Sequence, residues 1–144
     1  MIKKAVFGDA ADIASLAQKM WSDSTLEDLV KDFENAVEQK QSAVFVLTED
    51  NRSVGFAQCQ LRNDYVEGTT GSPVGYLEGI YVEPDYRHRG FAKELLKKCE
   101  EWAKEKGCTE IASDCELGNS ESLNFHLKSG FSEANRIICF AKQI

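Results

Sequence analysis

Residues 76–103 constrain the fold more than any other part of the chain. The run YLEGIYV at 76–82 reads as a strand, yet it carries a glycine at position 79, the mark of a bulge or of a close approach by another molecule. PDYRHRG follows, and then Ala92, Leu95, Leu96, Cys99, Trp102 and Ala103 recur at helical spacing until Gly107. A strand that turns through a glycine into a helix aims unpaired N–H groups and a helix dipole at one small volume, which is an anion site. A solvated capping turn would account for the same residues, so the turn alone leaves both readings open. No Gly-Lys-Ser/Thr follows, and the three glycines of the dinucleotide fingerprint are absent. What stands here is R/Q-x-x-G-x-G/A at 87–92, behind a strand of the form L-x-x-I-x-V-x-P at 77–84.

The rest of the pattern puts this unit in a mixed α/β sheet with helices packed on it. A strand is expected over 2–7, then a helix behind Asp9 with Ile13, Leu16, Ala17 and Met20 on one face. A second amphipathic helix carries Leu26, Leu29, Val30, Phe33 and Val37. Strands over 43–48 and 54–61, joined by Asp50-Asn51-Arg52-Ser53, read as a hairpin. The polar loop at 63–75 is long enough to suggest a role of its own. A strand over 108–115, a helix over 120–129 stopped by Gly130, and one or two strands over 131–142 complete the chain. No repeat or Pro/Gly/Ser linker divides it, so one domain over 1–144 is expected.

Charge narrows the partners. Lys and Arg number 17 against 24 Asp and Glu, a net charge of −7. That balance argues against a general nucleic-acid binder, which needs a positive footprint. It suits a cationic partner, although acidity also serves plain solubility. The cysteines, at 59, 99, 108, 115 and 139, are odd in number, and no pair has the two-residue spacing of a zinc or redox motif. No metal is therefore expected, and free thiols point to a reducing compartment, the cytoplasm. MIKKAVFGDAADI lacks the apolar core of a secretory signal, and nothing downstream reads as a membrane span.

Four features carry a family resemblance: the strand at 77–84, the turn at 87–92 with its Leu95-Leu96 helix, Asn119, and Lys128-Ser129-Gly130-Phe131. In order and spacing they resemble the GNAT N-acetyltransferase superfamily over nearly the whole chain. RNDYVEG at 62–68, YLEGIYV at 76–82, KGCTEIASD at 106–114 and FSEANRIICF at 131–140 look like aminoglycoside 6′-N-acetyltransferases in particular. The resemblance implies a central, mostly antiparallel sheet, splayed at the fourth strand and flanked by helices. It implies acetyl-CoA as co-substrate. Backbone groups of Ile80, Tyr81 and Val82 would pair with its pantetheine arm like an added strand. The N–H groups of His88, Arg89, Gly90, Phe91, Ala92 and Lys93 would hold the pyrophosphate, with Asn119 bonding from the other side. A helix cap ahead of Glu121 and Ser122 remains the competing role for Asn119.

Amine acetylation needs a neutral nitrogen, so a carboxylate near the attacking atom helps. Asp114, at the end of CTEIASD, and Glu78, beside Gly79, are the candidates. The resemblance favours Asp114 as proton acceptor and Glu78 as an ammonium anchor, with the two roles exchangeable. Many acetyltransferases of this fold carry a tyrosine four residues before the Gly-Phe pair; here that position is His126, either a general acid or a structural histidine. Cys115 adjoins Asp114 on the opposite face of a strand, so direct transfer is expected rather than an acetyl-cysteine. The implied substrate pocket draws on Trp21, Ser24, Tyr65 and Glu78, with Asp23, Asp64 and Glu67 attracting a polycation. Trp21 has a competing role as a staple closing its helix. A homodimer sharing C-terminal strands would bring in Asn135. Competing functions are acetylation of another amine, such as a polyamine or a protein N-terminus, and a non-catalytic acyl-CoA-binding domain.

Overall fold

A computed structural model describes residues 1–144. Five strands form one sheet in the order β1 (Ile2–Lys4), β2 (Ser42–Glu49), β3 (Arg52–Arg62), β4 (Val74–Val82) and β5 (Ile111–Ser113). Every pairing is antiparallel except β4 with β5, which is parallel. The β2–β3 hairpin turns on Asp50 and Asn51, whose φ of 50° and 59° give the two-residue turn that matches strand twist. The Tyr86 hydroxyl donates to Asp50 Oδ2 at 2.6 Å, fastening this turn to the segment after β4.

Helices α1 (Ala10–Met20) and α2 (Leu26–Glu38) cover one face, and α3 (Phe91–Glu105) covers the other. β2 is buried on both sides, which explains its unbroken apolar run. Val44 and Val46 join Ile13, Phe33 and Phe56 under α1 and α2, while Ala43, Phe45 and Leu47 join Leu95, Cys99 and Trp102 under α3. Helix α4 (Ser120–Lys128) follows β5. No helix is long and apolar enough to cross a membrane.

The bulge expected from Gly79 is present, and Glu78 is its extra residue. Register passes from Gln58↔Gly79 to Cys59↔Leu77, leaving Glu78 without a partner on β3. Side-chain alternation resets there. Leu77, Ile80 and Val82 all turn toward the α3 core, while Glu78 and the Cα of Gly79 both face Trp21. A Cβ on Gly79 would stand 2.8 Å from the Trp21 ring, so this glycine is required by close approach. β5 accompanies β4 only along Gly75, Tyr76 and Leu77, whereas β4 runs on to Val82. The sheet therefore splays at its fourth strand, as expected.

Two expectations are corrected. The strand read over 108–115 shrinks to Ile111–Ser113, because 114–115 lie past the parting of β4 and β5 while Cys108 N still donates to Ala103 O of α3. The segment 131–142 forms no strand at all, and no backbone–backbone hydrogen bond extends past Phe131. Its β-branched and aromatic residues have strand propensity, but a strand needs a partner edge, and this one finds none within the chain. Ile137, Ile138 and Phe140 stand 72%, 81% and 91% exposed.

The loop at 63–75 is tied down from the residue just before β5. The Glu110 carboxylate accepts from the N–H of Thr70 at 3.0 Å and of Gly71 at 2.7 Å. These bonds hold its carboxyl below the usual range, so the clamp is present at neutral pH and is lost as acid protonates it.

Candidate active site

The turn before α3 is built to leave donors free. Gly90, the N-cap, has φ 85°, and His88 has φ 61°, so the chain passes twice through the left-handed region within three residues. None of the N–H groups of residues 88–93 donates to a backbone acceptor; the first helical bond runs from Glu94 N to Gly90 O. No side chain caps this helix. The arginines are engaged elsewhere: Arg87 Nε donates to Val82 O at 2.7 Å, and Arg89 Nη2 to Asp85 O at 2.9 Å. Arg87 thereby braces the far end of β4, and the site's donors are backbone groups. Asn119 caps α4, its Oδ1 accepting from Ser122 N at 3.1 Å. That is the competing role named above, and it leaves the Nδ2 donor unused.

Where β4 and β5 part, two carboxylates are joined by a short relay of side chains. The Tyr76 hydroxyl donates to Asp114 Oδ2. The Arg62 guanidinium lies 3.4 Å from the Tyr76 ring centroid and grips Glu78 at 3.0 and 3.2 Å. Burial and the bond to Asp114 push the Tyr76 hydroxyl well above its usual range, so it stays protonated and keeps donating. On the opposite face, His126 contacts Ser113 and Ser122 between the rings of Phe125 and Phe131.

The expected pocket residues divide between two hollows. Trp21, Ser24 and Glu78 line one of about 310 Å³, together with Asp32, Phe33, Gln58 and Gln60. Tyr65, Asp114 and Asn135 line another of about 960 Å³, which also includes Arg62, Tyr76 and His126. Trp21 packs 6.5 Å from Phe33 and 6.2 Å from Phe56 at the end of α1, and it also lines the first hollow. Tyr65 is 77% exposed, free to lie on a guest. Cys115 is exposed beyond the end of β5.

A strand opening that ends in a donor-rich turn is a family-level arrangement, and comparison with known proteins agrees. The sequence profile of the Acetyltransferase (GNAT) family matches residues 10–131. This chain belongs to the GNAT acetyltransferase family. A relative, the aminoglycoside N(6′)-acetyltransferase type 1 of Acinetobacter haemolyticus, is 37% identical over 143 residues, covering 99% of this chain and 98% of its own. Its counterpart from Stenotrophomonas maltophilia is 36% identical over 140 residues, covering 96% and 90%. Among solved structures, AAC(6′)-Iy bound to the bisubstrate analogue CoA-S-monomethyl-acetylneamine superposes with a TM-score of 0.94 at 33% identity, covering 100% of this chain and 98% of that one.

In this GNAT acetyltransferase, sequence reasoning passed over Gln58, Gln60, Arg62, Tyr76 and Ser113. A signal for the first three was available. They alternate at period two on β3, so a central strand carries a polar stripe on the face that α1 and α2 do not fully cover. Tyr76 and Ser113 give no such signal, since their partners come from other elements.

Proposed function

We propose that residues 1–144 act as one acetyltransferase domain that moves an acetyl group from acetyl-CoA to the 6′-amine of an aminoglycoside. One observation carries this reading. Glu78, the bulged residue at the strand opening, faces a hollow walled by Trp21 and already holds a cation, the Arg62 guanidinium. A site that binds one cation on an acid beside an aromatic wall suits an aminoglycoside ammonium against a sugar ring. The names of the relatives support the same substrate class.

Acetyl-CoA supplies an activated thioester. The free N–H groups of residues 88–93 hold its pyrophosphate, and Asn119 Nδ2 adds a donor. The open edge at Ile80, Tyr81 and Val82 pairs with the pantetheine arm. Asp114 takes the proton from the attacking nitrogen, directly or through water, and Tyr76 orients that carboxylate. Glu78 anchors an ammonium, while Ser24, Tyr65 and Asn135 border the bound antibiotic. Transfer is direct in a ternary complex, because no histidine or lysine is hydrogen-bonded to the exposed Cys115 to activate it.

Thiol release from acetyl-CoA, followed with kanamycin, tobramycin, spermidine and an N-terminal peptide, tests the assignment. Release is expected with the two antibiotics. Turnover of spermidine or the peptide alone would replace the substrate class, and cofactor binding without release under any acceptor would remove the enzyme reading.

We also propose a homodimer in which the C-terminal segment supplies strands to the shared interface. The exposed Ile137, Ile138 and Phe140 on an unpaired segment support it. Light scattering should give twice the chain mass, falling to the monomer when residues 132–144 are deleted; a monomeric wild type rejects the dimer. The five free thiols suit the cytoplasm, which cell fractionation checks.

A further inference from the structure

The smaller hollow is acidic and has no basic side chain in its lining. Asp32 and Glu78 border it, beside Ser24, Gln58 and Gln60. The positive charge that Glu78 meets reaches it from Arg62, the last residue of β3, which lines the larger hollow with Tyr76 and Asp114. The Arg62–Glu78 pair therefore stands between the two hollows, one partner belonging to each.

Arg62 takes up much of what Glu78 can offer a cation. Its Nη2 donates to Oε1 at 3.0 Å and to Oε2 at 3.2 Å, and its Nε donates to Oε1 at 3.3 Å. One guanidinium thus engages both carboxylate oxygens. An ammonium arriving at Glu78 with this grip intact would find those acceptor positions taken and a like charge at contact range. The guanidinium also has a second partner. It lies 3.4 Å from the centroid of the Tyr76 ring, an attraction that does not involve Glu78. On letting go of the acid, Arg62 stays stacked on that ring, and its exposed side chain lets water solvate the freed N–H groups. The cost of exchanging it for another cation is therefore small.

We propose that Arg62 competes with a substrate ammonium for Glu78, so that antibiotic binding displaces the guanidinium from the acid and joins the two hollows. The inference rests on the aminoglycoside reading above. It accounts for a feature that reading leaves open: Glu78 and Asp114, both assigned to one substrate, line different hollows. A substrate that reaches both acids has to pass the pair that separates them. The displaced guanidinium keeps its place over Tyr76, whose hydroxyl continues to donate to Asp114. Arg62 thereby sets how tightly a polycation is held, and it does so by occupying the anchor rather than by touching the reacting atoms.

Calorimetric titration of the CoA-loaded enzyme with tobramycin tests the exchange. Arg62→Met keeps the side-chain stem and removes the charge, and it should bind the antibiotic about fivefold more tightly, the upper end of what a partly exposed ion pair holds back. Arg62→Lys retains a competing charge and should stay near the wild type. Glu78→Gln should bind more weakly, and adding Arg62→Met to it should bring no gain, because the two residues act at one contact. A purely structural ion pair predicts the opposite sign, since an anchor that loses its brace binds worse. Unchanged or weaker binding in Arg62→Met, equal tightening in Arg62→Lys, or the same gain with Glu78 already replaced would each overturn the competition. A wild type that does not bind tobramycin would instead overturn the aminoglycoside reading on which it rests.

Discussion

Replacing Asp114 with asparagine is expected to lower antibiotic-dependent thiol release a hundredfold or more, because asparagine keeps the shape but cannot take a proton at neutral pH; a general base contributes roughly 10² to 10⁴ in rate. The loss should fall on kcat, with KM for tobramycin changing little, since the proposed ammonium anchor is Glu78 rather than Asp114. Tyr76→Phe offers a graded comparison. It removes the hydroxyl that orients the carboxylate while leaving the ring under Arg62, so a smaller loss is expected. Glu78→Gln should show the opposite division, a raised KM with a smaller effect on kcat. If Asp114→Asn turns over normally while Glu78→Gln loses kcat, the two acids exchange roles. Initial-rate kinetics on these variants decide the matter.

The largest loss of stability is expected from Phe56→Ala. Phe56 is fully buried at the centre of the α1–α2 face, edge-on to Phe33 with centroids 5.5 Å apart and 6.2 Å from Trp21. Truncating a buried phenylalanine costs about 3–5 kcal/mol, and domain stability is about 5–15 kcal/mol in total. Urea unfolding should therefore show a midpoint lowered by roughly a fifth or more, with little change in slope. Activity should fall as well, because the cavity removes one of the rings against which Trp21 stands. A loss of unfolding free energy below about 1 kcal/mol would mean that the aromatic group tolerates collapse, contrary to its packing.

The fold's outline was legible because it rests on local signals. Apolar periodicity marked α1, α2 and α3, the run 43–48 marked the doubly buried strand, and Gly79 marked the bulge. The donor-rich turn was legible for the same reason, since Gly90 and the start of α3 are neighbours in sequence and their free donors follow from helix geometry. Arg87 and Arg89 bond to backbone carbonyls, so the donors left free at that turn are backbone N–H groups. The C-terminal strands failed because propensity belongs to a segment, whereas pairing needs an edge that a single chain does not offer.

By itself, the sequence determined the order of elements, the bulge at the fourth strand and the donor-rich turn, each a property of residues a few positions apart. Tertiary structure alone decided which acid meets which partner. It set Arg62 on Glu78 and Tyr76 on Asp114, and it brought His126 of α4 back onto Ser113 of the preceding strand. The physical reason is range: backbone conformation follows local chemistry, but a proton's path depends on contacts of about 3 Å between segments that only packing brings together.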